Sequence, residues 1–424
     1  MTASLDIEQQ RALAAMQAGR NTFVTGGGGV GKSHLIRQFV GQRNVSRIDL
    51  TAPTGVAAIN LNVGGIQGRT INRWAGILLG PQAGQAFEDY WEFLKAKTGR
   101  NFLAGQERIR RAECLVIDEV SMLTGRLFSF LDWTCRRIRQ NDRPFGGIQI
   151  IAVGDFLQLP PVRRGDSEPY DWVFKCEAWR QAEFVISHLT TPHRQSETPF
   201  IDALNAFRFG QIRGGAARLL MGRVARFPDK NLTRLFTHNA MVDKWNNYQL
   251  AEIESEERTF TATLAGSEYD QEFLRKNLVT PEVLSLKRGA RVMFTANKAQ
   301  GDETVFANGE IGTVEDMAEE IISVRKDTGS LVMLEPNTWS ADPQNELSGT
   351  FTQFPLRLAY AMTIHKAQGI TIDSALIDIR AAREPGQAYV AASRVRSLSG
   401  LHLKDYPKGI FVSPDAIEFY RNIK

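Results

Sequence analysis

Eight consecutive residues, Gly26-Gly27-Gly28-Gly29-Val30-Gly31-Lys32-Ser33, place a glycine, four residues, then Gly-Lys and a hydroxyl residue in unbroken order. Chemistry follows from that spacing. Glycines let backbone N–H groups turn inward around phosphate oxygens, Lys32 reaches the β and γ oxygens, and the Ser33 hydroxyl is a ligand for Mg²⁺. A helix starting near His34 would add its positive N-terminal end. The apolar run Thr22 to Thr25 before the glycines reads as a strand, so the context is strand, loop, helix. The segment is a nucleoside triphosphate cradle, with Gly26 to His34 as its binding residues.

Such a cradle needs a metal carboxylate and a base. Asp118-Glu119 follows the apolar run Cys114-Leu115-Val116-Ile117. An Asp at a strand end beside the phosphate loop holds Mg²⁺, usually through water, and the neighbouring Glu orients and deprotonates the attacking water. Alone, an acidic pair there is more often a solvated loop or a helix cap; the cradle upstream reverses that preference. A third strand-like run, Ile148 to Val153, ends at Gly154-Asp155-Phe156-Leu157-Gln158-Leu159-Pro160-Pro161. The Gln158 amide both donates and accepts, which suits a group that senses a γ-phosphate. A proline-stiffened turn without chemistry is the competing reading. Charge on a transferred phosphoryl group calls for arginine, and a finger of this kind contributes about 10³–10⁵ in rate. Arg194 and Arg394 are the candidates, although an isolated arginine is ordinarily a surface residue.

These residues require elements to hold them. Short β-branched runs end in Gly, Asp or Pro and alternate with helical patterns, including Ile48 to Thr51 before Ala52-Pro53-Thr54-Gly55. Continuous apolar strands between helices indicate a parallel sheet covered on both faces, with ligands at the carboxyl ends of its strands. The expected fold class is α/β. A second α/β stretch begins near Phe184, with a helix over Phe200 to Phe209 and strands at Leu232 to Thr237 and Ser374 to Ile379. Between Lys287 and Phe354, short β-rich pieces separated by Gly, Asn and Asp turns predict a small inserted barrel. The Gly- and aromatic-rich stretch from 64 to 108 reads as another insertion, of undefined fold.

Composition narrows the class. A chain of 424 residues has room for two to four domains. Lys and Arg number 51 against 47 Asp and Glu, a net charge of +4 that permits a nucleic-acid partner without arguing for one. Three scattered cysteines, Cys114, Cys135 and Cys176, exclude a disulfide framework and suit a reducing compartment. No apolar run approaches the ~20 residues of a membrane helix, and the start, Met1-Thr2-Ala3-Ser4-Leu5-Asp6, lacks the pattern of a signal peptide. A cytoplasmic protein, of bacterial or phage origin, is expected.

Taken together the motifs resemble those of superfamily 1B helicases, and specifically the PIF (petite integration frequency) DNA helicase family, over almost the whole chain. Leu5-Asp6-Ile7-Glu8-Gln9 is similar to its adenine-reading motif, with Gln9 in that role. Thr51 to Ala58 and Gly68-Arg69-Thr70-Ile71-Asn72 resemble two strand-contacting motifs; Asn72 stands where the family usually has His. Phe128 to Val162, with Arg136 to Gln149 inside it, resembles the signature that separates the family from RecD-like relatives. Leu127, Phe130, Leu131, Cys135 and Ile138 lie near helical spacing and should be core. Arg136, Arg137 and Arg139 would then face away from that core, as a solvated basic face or as DNA contacts. Leu204 to Arg208 and Thr237-His238-Asn239 look like further family elements. Thr363-Ile364-His365-Lys366-Ala367-Gln368-Gly369 matches the motif between DNA and nucleotide. Gly386 to Arg394 matches the last motif, with Ala392 in place of a usual Leu, and Lys287 to Phe354, including Val305 to Gly309, resembles an SH3-like insertion.

The resemblance implies two RecA-like P-loop domains, 1–185 (with a wedge-like insertion at 64–108) and 186–286 plus 355–424, and an SH3-like barrel at 287–354. It implies ATP and Mg²⁺ as cofactors, with Gln9 and Gly369 added to the nucleotide site, and Lys32, Ser33 and Asp118 facing Arg194 and Arg394 across a cleft. Single-stranded DNA would be held by Pro53, Thr54, Gly55, Thr70, Ile71, Asn72, Thr363, His365 and Lys366. Trp74, Phe156 and Tyr389 are candidates for base stacking, against the commoner use of an aromatic ring in a core. Movement from 5′ to 3′ along the strand, unwinding of duplex or fork DNA, action on G-quadruplexes, and a role in replication, repair, recombination or telomere maintenance are likewise implied, by a monomer. Two rivals stand beside this reading. One is a RecD-like subunit or relaxase-associated motor that needs partner chains, the other a nucleotide-switched binding protein that hydrolyses ATP without moving. The signature argues against the first, Glu119 and the arginines against the second.

Overall fold

A computed structural model of the chain describes residues 5–42, 47–63, 65–78, 80–163, 168–225, 229, 232–300, 303–306, 308–341, 348–406 and 409–423. Gly64, at the start of the first expected insertion, and Ala307, within Val305 to Gly309, lie outside them. The chain divides into two compact units. One comprises Met1–Arg194, Glu384–Gly386 and Val412–Lys424; the other comprises Gln195–Arg383 and Gln387–Phe411.

The first unit is built on six parallel strands: β1 (Thr22–Gly26), β2 (Ile48–Ala52), β3 (Arg69–Thr70), β4 (Cys114–Ile117), β5 (Gln149–Gly154) and β6 (Val185–Leu189). Their order across the sheet is β3-β2-β4-β5-β1-β6. Every residue of β1, β4 and β5 is buried, as apolar runs without alternation require when helices cover both faces. The edge strand β6 alternates in exposure instead. Helices α1 (Ile7–Gln17) and α2 (Lys32–Gly41) send Leu13, Met16, Leu35, Ile36 and Phe39 into one core with Val24, Val116 and Val153.

Two boundaries differ from expectation. The first unit runs on past residue 185, because β6 pairs with β1 in the register Thr22↔Val185. Arg194 therefore closes the first unit and is not on the second. The helix Pro414–Asn422 also belongs to the first unit, where it buries Ala416 and Tyr420. Pairing and packing across hundreds of residues decide both, and neither leaves a local mark in the sequence.

The 64–108 stretch is largely helical. Ile71–Ala75 is followed by Phe87–Arg111, which breaks at Gly99 (φ 41°, ψ −107°). Phe87, Tyr90 and Trp91 meet Phe130 and Trp133 of the helix Gly125–Arg139 in edge-on ring contacts of 5.1–6.1 Å. The aromatic richness is thus a helix–helix core.

The signature segment has a structural explanation. Gly125–Arg139 ends in a tight turn in which Gln140, Phe145, Gly146 and Gly147 all have positive φ. Phe145 is buried among the rings, and its N–H donates to Asp132 Oδ1 at 2.6 Å, while Arg136 Nε donates to the same carboxylate at 2.9 Å. A Cβ on Gly146 would lie 2.6 Å from the Cys135 carbonyl oxygen at φ +61°. Gly146→Ala is expected to cost about 1–3 kcal/mol through strain and forced repacking, read as a lower urea midpoint. An unchanged midpoint would refute the tight-turn account.

The second unit holds a four-stranded parallel sheet in the order Ala361–Thr363, Thr233–Phe236, Ala375–Ile377, Leu401–Leu403. The β-rich stretch forms a five-stranded antiparallel sheet: Leu331–Leu334, Ile322–Lys326, Ile311–Met317, Arg291–Phe294 and Leu356–Leu358. Its core is Val292, Phe294, Val314, Ile322, Val324, Val332 and Leu356. The last strand lies beyond residue 354, where the insertion was expected to stop. No helix among the described residues is long and apolar enough to cross a membrane.

Cys114 and Cys135 are fully buried and Cys176 is half-buried. Burial raises the Cys135 thiol pKa, with Asp132 adding to the rise, and burial raises that of Cys176 as well. A thiol reagent should therefore label only Cys176 in the native chain, slowly, and label all three after unfolding. Rapid labelling of two thiols in native protein would contradict this packing.

Candidate nucleotide and nucleic-acid site

Strand order places the candidate residues of the first unit along one sheet edge. Reading across the carboxyl ends come Thr70 at the end of β3, Pro53 after β2, Asp118 after β4, Asp155 after β5 and the glycine loop after β1. The loop curls as its sequence demands. Gly26, Gly29 and Gly31 have φ of 140°, 84° and 81°, and Gly31 opens α2 in a left-handed conformation. At φ 81° any side chain on Gly31 would be strained, and a Cβ there would also push against Gln9 Nε2 at 2.4 Å. Lys32 Nζ donates to the carbonyls of Gly26 at 2.8 Å and Gly27 at 3.0 Å. Ser33 is exposed and His34 half-buried, both in the first turn of α2.

Gln9 is built into the support of this loop. Its Oε1 accepts from the Asp6 N–H at 3.1 Å while Asp6 caps α1, and its Nε2 points at the Val30 carbonyl at 3.4 Å. His193 Nε2 lies 3.5 Å from that amide nitrogen and 3.3 Å from Asp6 Oδ2. Nothing in the sequence pattern singled out His193.

Asp118 is half-buried, and its Oδ1 accepts the Glu119 N–H at 2.9 Å. Desolvation dominates and lifts its pKa above the ordinary carboxylate range; the Glu119 amide and the Lys32 charge pull the other way. Glu119 occupies the left-handed region at φ 49°, ψ 41°. For a residue with a Cβ that conformation is strained, and strain of this kind is concentrated at functional positions. After β5, the Asp155 carbonyl accepts the Gln158 N–H at 2.9 Å, and Gln158 is 4% exposed.

The two segments expected to touch a strand leave the sheet side by side, because Thr51 pairs with Arg69 and Ala52 with Thr70. Thr54 and Thr70 cap the helices Gly55–Asn60 and Ile71–Ala75, accepting from the N–H groups of Ala57 and Arg73. Ile71 is buried, and Asn72 Nδ2 donates to the Leu78 carbonyl.

In the second unit, Thr363 ends its strand opposite Phe236, so that Thr237-His238-Asn239 and Thr363 to Gly369 emerge together. Thr363 is buried, Lys366 half-buried, and His365 and Gly369 exposed. Burial lowers the Lys366 pKa, and the Arg357 charge lowers it further. Arg357, also buried, is depressed to about 10 by desolvation, with Asp243 opposing. Its Nε and Nη1 have no hydrogen-bond partner among the described residues. The helix Gln387–Ser393 is buried throughout, and Arg394 after it is 3% exposed, donating to the Val390 carbonyl at 3.0 Å and Ser393 Oγ at 2.8 Å.

Comparison with known proteins agrees with this architecture. Residues 4–213 match the family model described as PIF1-like helicase. The ATP-dependent DNA helicase Pif1 of Bdellovibrio bacteriovorus is 37% identical over 423 residues, covering 99% of this chain and 92% of the relative. The chain belongs to the PIF1-like helicase family. It is an ATP-dependent DNA helicase by that membership. The fold agrees: a Bacteroides sp Pif1 in complex with ADP-AlF4 superposes with a TM-score of 0.83 at 30% identity, covering 99% of this chain and 97% of that one. A Bacteroides Pif1 bound to ssDNA gives 0.69 at 31% identity over the same shares.

Several expectations for this PIF1-like helicase resolve toward structure. Trp74 and Phe156 are 0% exposed and Tyr389 is 3% exposed, so all three rings are core. Arg139 donates to the carbonyls of Gly146, Ile109, Arg110 and Ala112, and Arg136 to Asp132, the Asp142 carbonyl and Gln181. Arg137 lies over the rings of Trp91 and Trp133, 5.6 and 5.2 Å from their centroids. These guanidinium groups hold the helicase's own backbone and rings. Leu127, Phe130, Leu131 and Cys135 are core as expected, whereas Ile138 is half-buried.

Proposed function

We propose that this helicase is a motor on single-stranded DNA, moving 5′ to 3′ and unwinding duplex or forked DNA as it advances. The observation that carries the proposal is the sheet edge of the first unit. There the glycine loop, Gln158, Asp118-Glu119 and the paired Pro53 and Thr70 segments follow one another on successive strand ends. A nucleotide at one end and a strand at the other would share a single rigid support, as coupling requires. Lys32 and Gly26 to His34 cradle ATP, Gln9 reads the base, Glu119 activates water, and Gln158 senses the γ-phosphate. Arg394 supplies a guanidinium from the second unit, and Arg194 one from the end of the first. Gly369 completes the nucleotide contacts.

Mg²⁺ fits the donor set. Ser33 offers a hydroxyl and Asp118 a carboxylate, two hard oxygens that leave room for waters and phosphate, as this ion prefers. Bound there, it would neutralise charge between the β and γ phosphates. Metal holding needs ionised Asp118, whose pKa is raised. Mg²⁺-dependent nucleotide affinity should therefore weaken on acidification from a pH above the ordinary carboxylate range. A profile flat down to pH 4 would remove Asp118 from the metal site.

For DNA, Pro53, Thr54, Gly55, Thr70, Ile71 and Asn72 contribute chiefly backbone and capping geometry, and Thr363, His365 and Lys366 contact phosphate. The neighbouring Arg357 strengthens that assignment. The Arg357 charge lowers the Lys366 pKa, and guanidinium N–H groups unmatched among the described residues suit an anionic backbone. G-quadruplex unwinding, a monomeric motor, and a cytoplasmic role in replication, repair or recombination belong to the same proposal. Matched duplexes carrying a 5′ or a 3′ single-stranded overhang test it. Unwinding of the 5′ substrate alone, with ATP turnover strongly stimulated by single-stranded DNA, is the expected result. Stimulated turnover without unwinding of either duplex would leave a switch and remove the motor.

A further inference from the structure

The helix Pro414–Asn422 enters the first unit far along the chain from the glycine loop, Asp118-Glu119 and Gln158. Ser413 caps it through the Ala416 N–H, Asp415 pairs with Lys175 at 2.7 Å, and the Phe419 ring meets those of Phe156 and Phe174 at 5.0 and 4.8 Å. These contacts fix where Tyr420 points. Its hydroxyl, in a residue 4% exposed, donates to Asp155 Oδ1 at 3.0 Å, accepts the Phe156 N–H at 3.2 Å, and bonds Thr25 Oγ1. A phenol has one proton to give and two lone pairs to fill. With the proton on Asp155 and one lone pair on Phe156, the Thr25 hydroxyl must donate to the other. Every position on that oxygen is then used, at a place where both Thr25 and Asp155 are 0% exposed.

What the hydroxyl joins matters more than its satisfaction. Thr25 precedes Gly26, whose carbonyl holds Lys32; Asp155, through its carbonyl, holds the Gln158 N–H. The two segments sit on neighbouring strands in the register Thr25↔Gly154. Beyond the strand ladder, one oxygen therefore ties the root of the phosphate cradle to the root of the sensor segment. We propose that Tyr420 is a positioning residue for ATP hydrolysis, holding the glycine loop and the Gln158 segment at the separation the transferred phosphoryl group requires. The inference rests on the proposed roles of Lys32 and Gln158. It needs no contact between Tyr420 and nucleotide.

The test compares full-length wild type with Tyr420→Phe, which keeps the ring and loses only the hydroxyl. Because misplacement of reacting groups by an ångström costs up to about 10²-fold, a kcat for DNA-stimulated ATP hydrolysis lowered about tenfold is expected. Affinity for ADP should stay within about twofold while affinity for ADP–aluminium fluoride falls with kcat, since only the latter mimic spans cradle and sensor. Thr25→Val removes a bond to the same oxygen from the other side, and the same ratio is read on it should Tyr420→Phe fold poorly. A wild-type kcat in the folded variants overturns the proposal, and so does an equal loss of ADP and ADP–aluminium fluoride affinity, which marks a merely structural tyrosine. A wild type that turns over no ATP would instead overturn the hydrolytic reading beneath it.

Discussion

Lys32→Ala is expected to abolish ATP turnover. Lys32 is half-buried in the first turn of α2, and its ammonium is held by the Gly26 and Gly27 carbonyls, close enough to Asp118 to oppose part of the rise that burial gives that carboxyl's pKa. No other lysine lies within the glycine loop or the rest of α2. Removing a pre-positioned donor from a site of developing charge costs at least about 10²–10³ in kcat. Here the same donor also binds ground-state phosphates, so nucleotide affinity should fall too. Phosphate release with saturating single-stranded DNA measures the first effect, and fluorescent-nucleotide titration the second. Appreciable residual turnover would show the loop assignment to be wrong.

The second large effect should separate binding from chemistry. Glu119→Gln retains size and hydrogen bonding but cannot take a proton. Loss of a general base costs about 10²–10⁴ in rate. Since Glu119 is absent from the loop that cradles phosphate, nucleotide affinity should remain near the wild-type value, giving a protein that binds ATP and DNA without release. Single-turnover hydrolysis together with equilibrium ATP binding distinguishes the outcomes. Parallel loss of both would mean that the left-handed turn at φ 49° had collapsed, and near-normal hydrolysis would place the base elsewhere.

Much of the candidate site was legible because it is local. Cys114–Ile117 and Gln149–Gly154 are buried strands whose short apolar runs, bounded by turn residues, read as strands, and the glycine loop carries its own geometry in its spacing. Family resemblance added what spacing lacks, such as Gln9 and Thr363. What stayed hidden depends on partners remote in sequence. Arg139 looked like one of three arginines on a basic face, yet its four carbonyl acceptors lie in segments whose approach only the fold decides. Trp74 and Phe156 are aromatic near binding motifs for reasons of core volume. Tyr420 had no motif at all, because a hydroxyl that bridges Thr25 and Asp155 is defined by three distant stretches at once.

The return of Pro414–Asn422 to the first unit also has a consequence for biosynthesis. The ring of Phe419 and the hydroxyl of Tyr420 complete packing around Phe23 and Phe156, but they emerge from the ribosome only after the whole of Gln195–Arg383 and Gln387–Phe411. At about 5–20 residues per second, the amino-terminal unit waits roughly ten seconds or more for its last element. Unlike a chain of domains folding in order of synthesis, this ATPase core cannot mature during translation until its neighbour has been made.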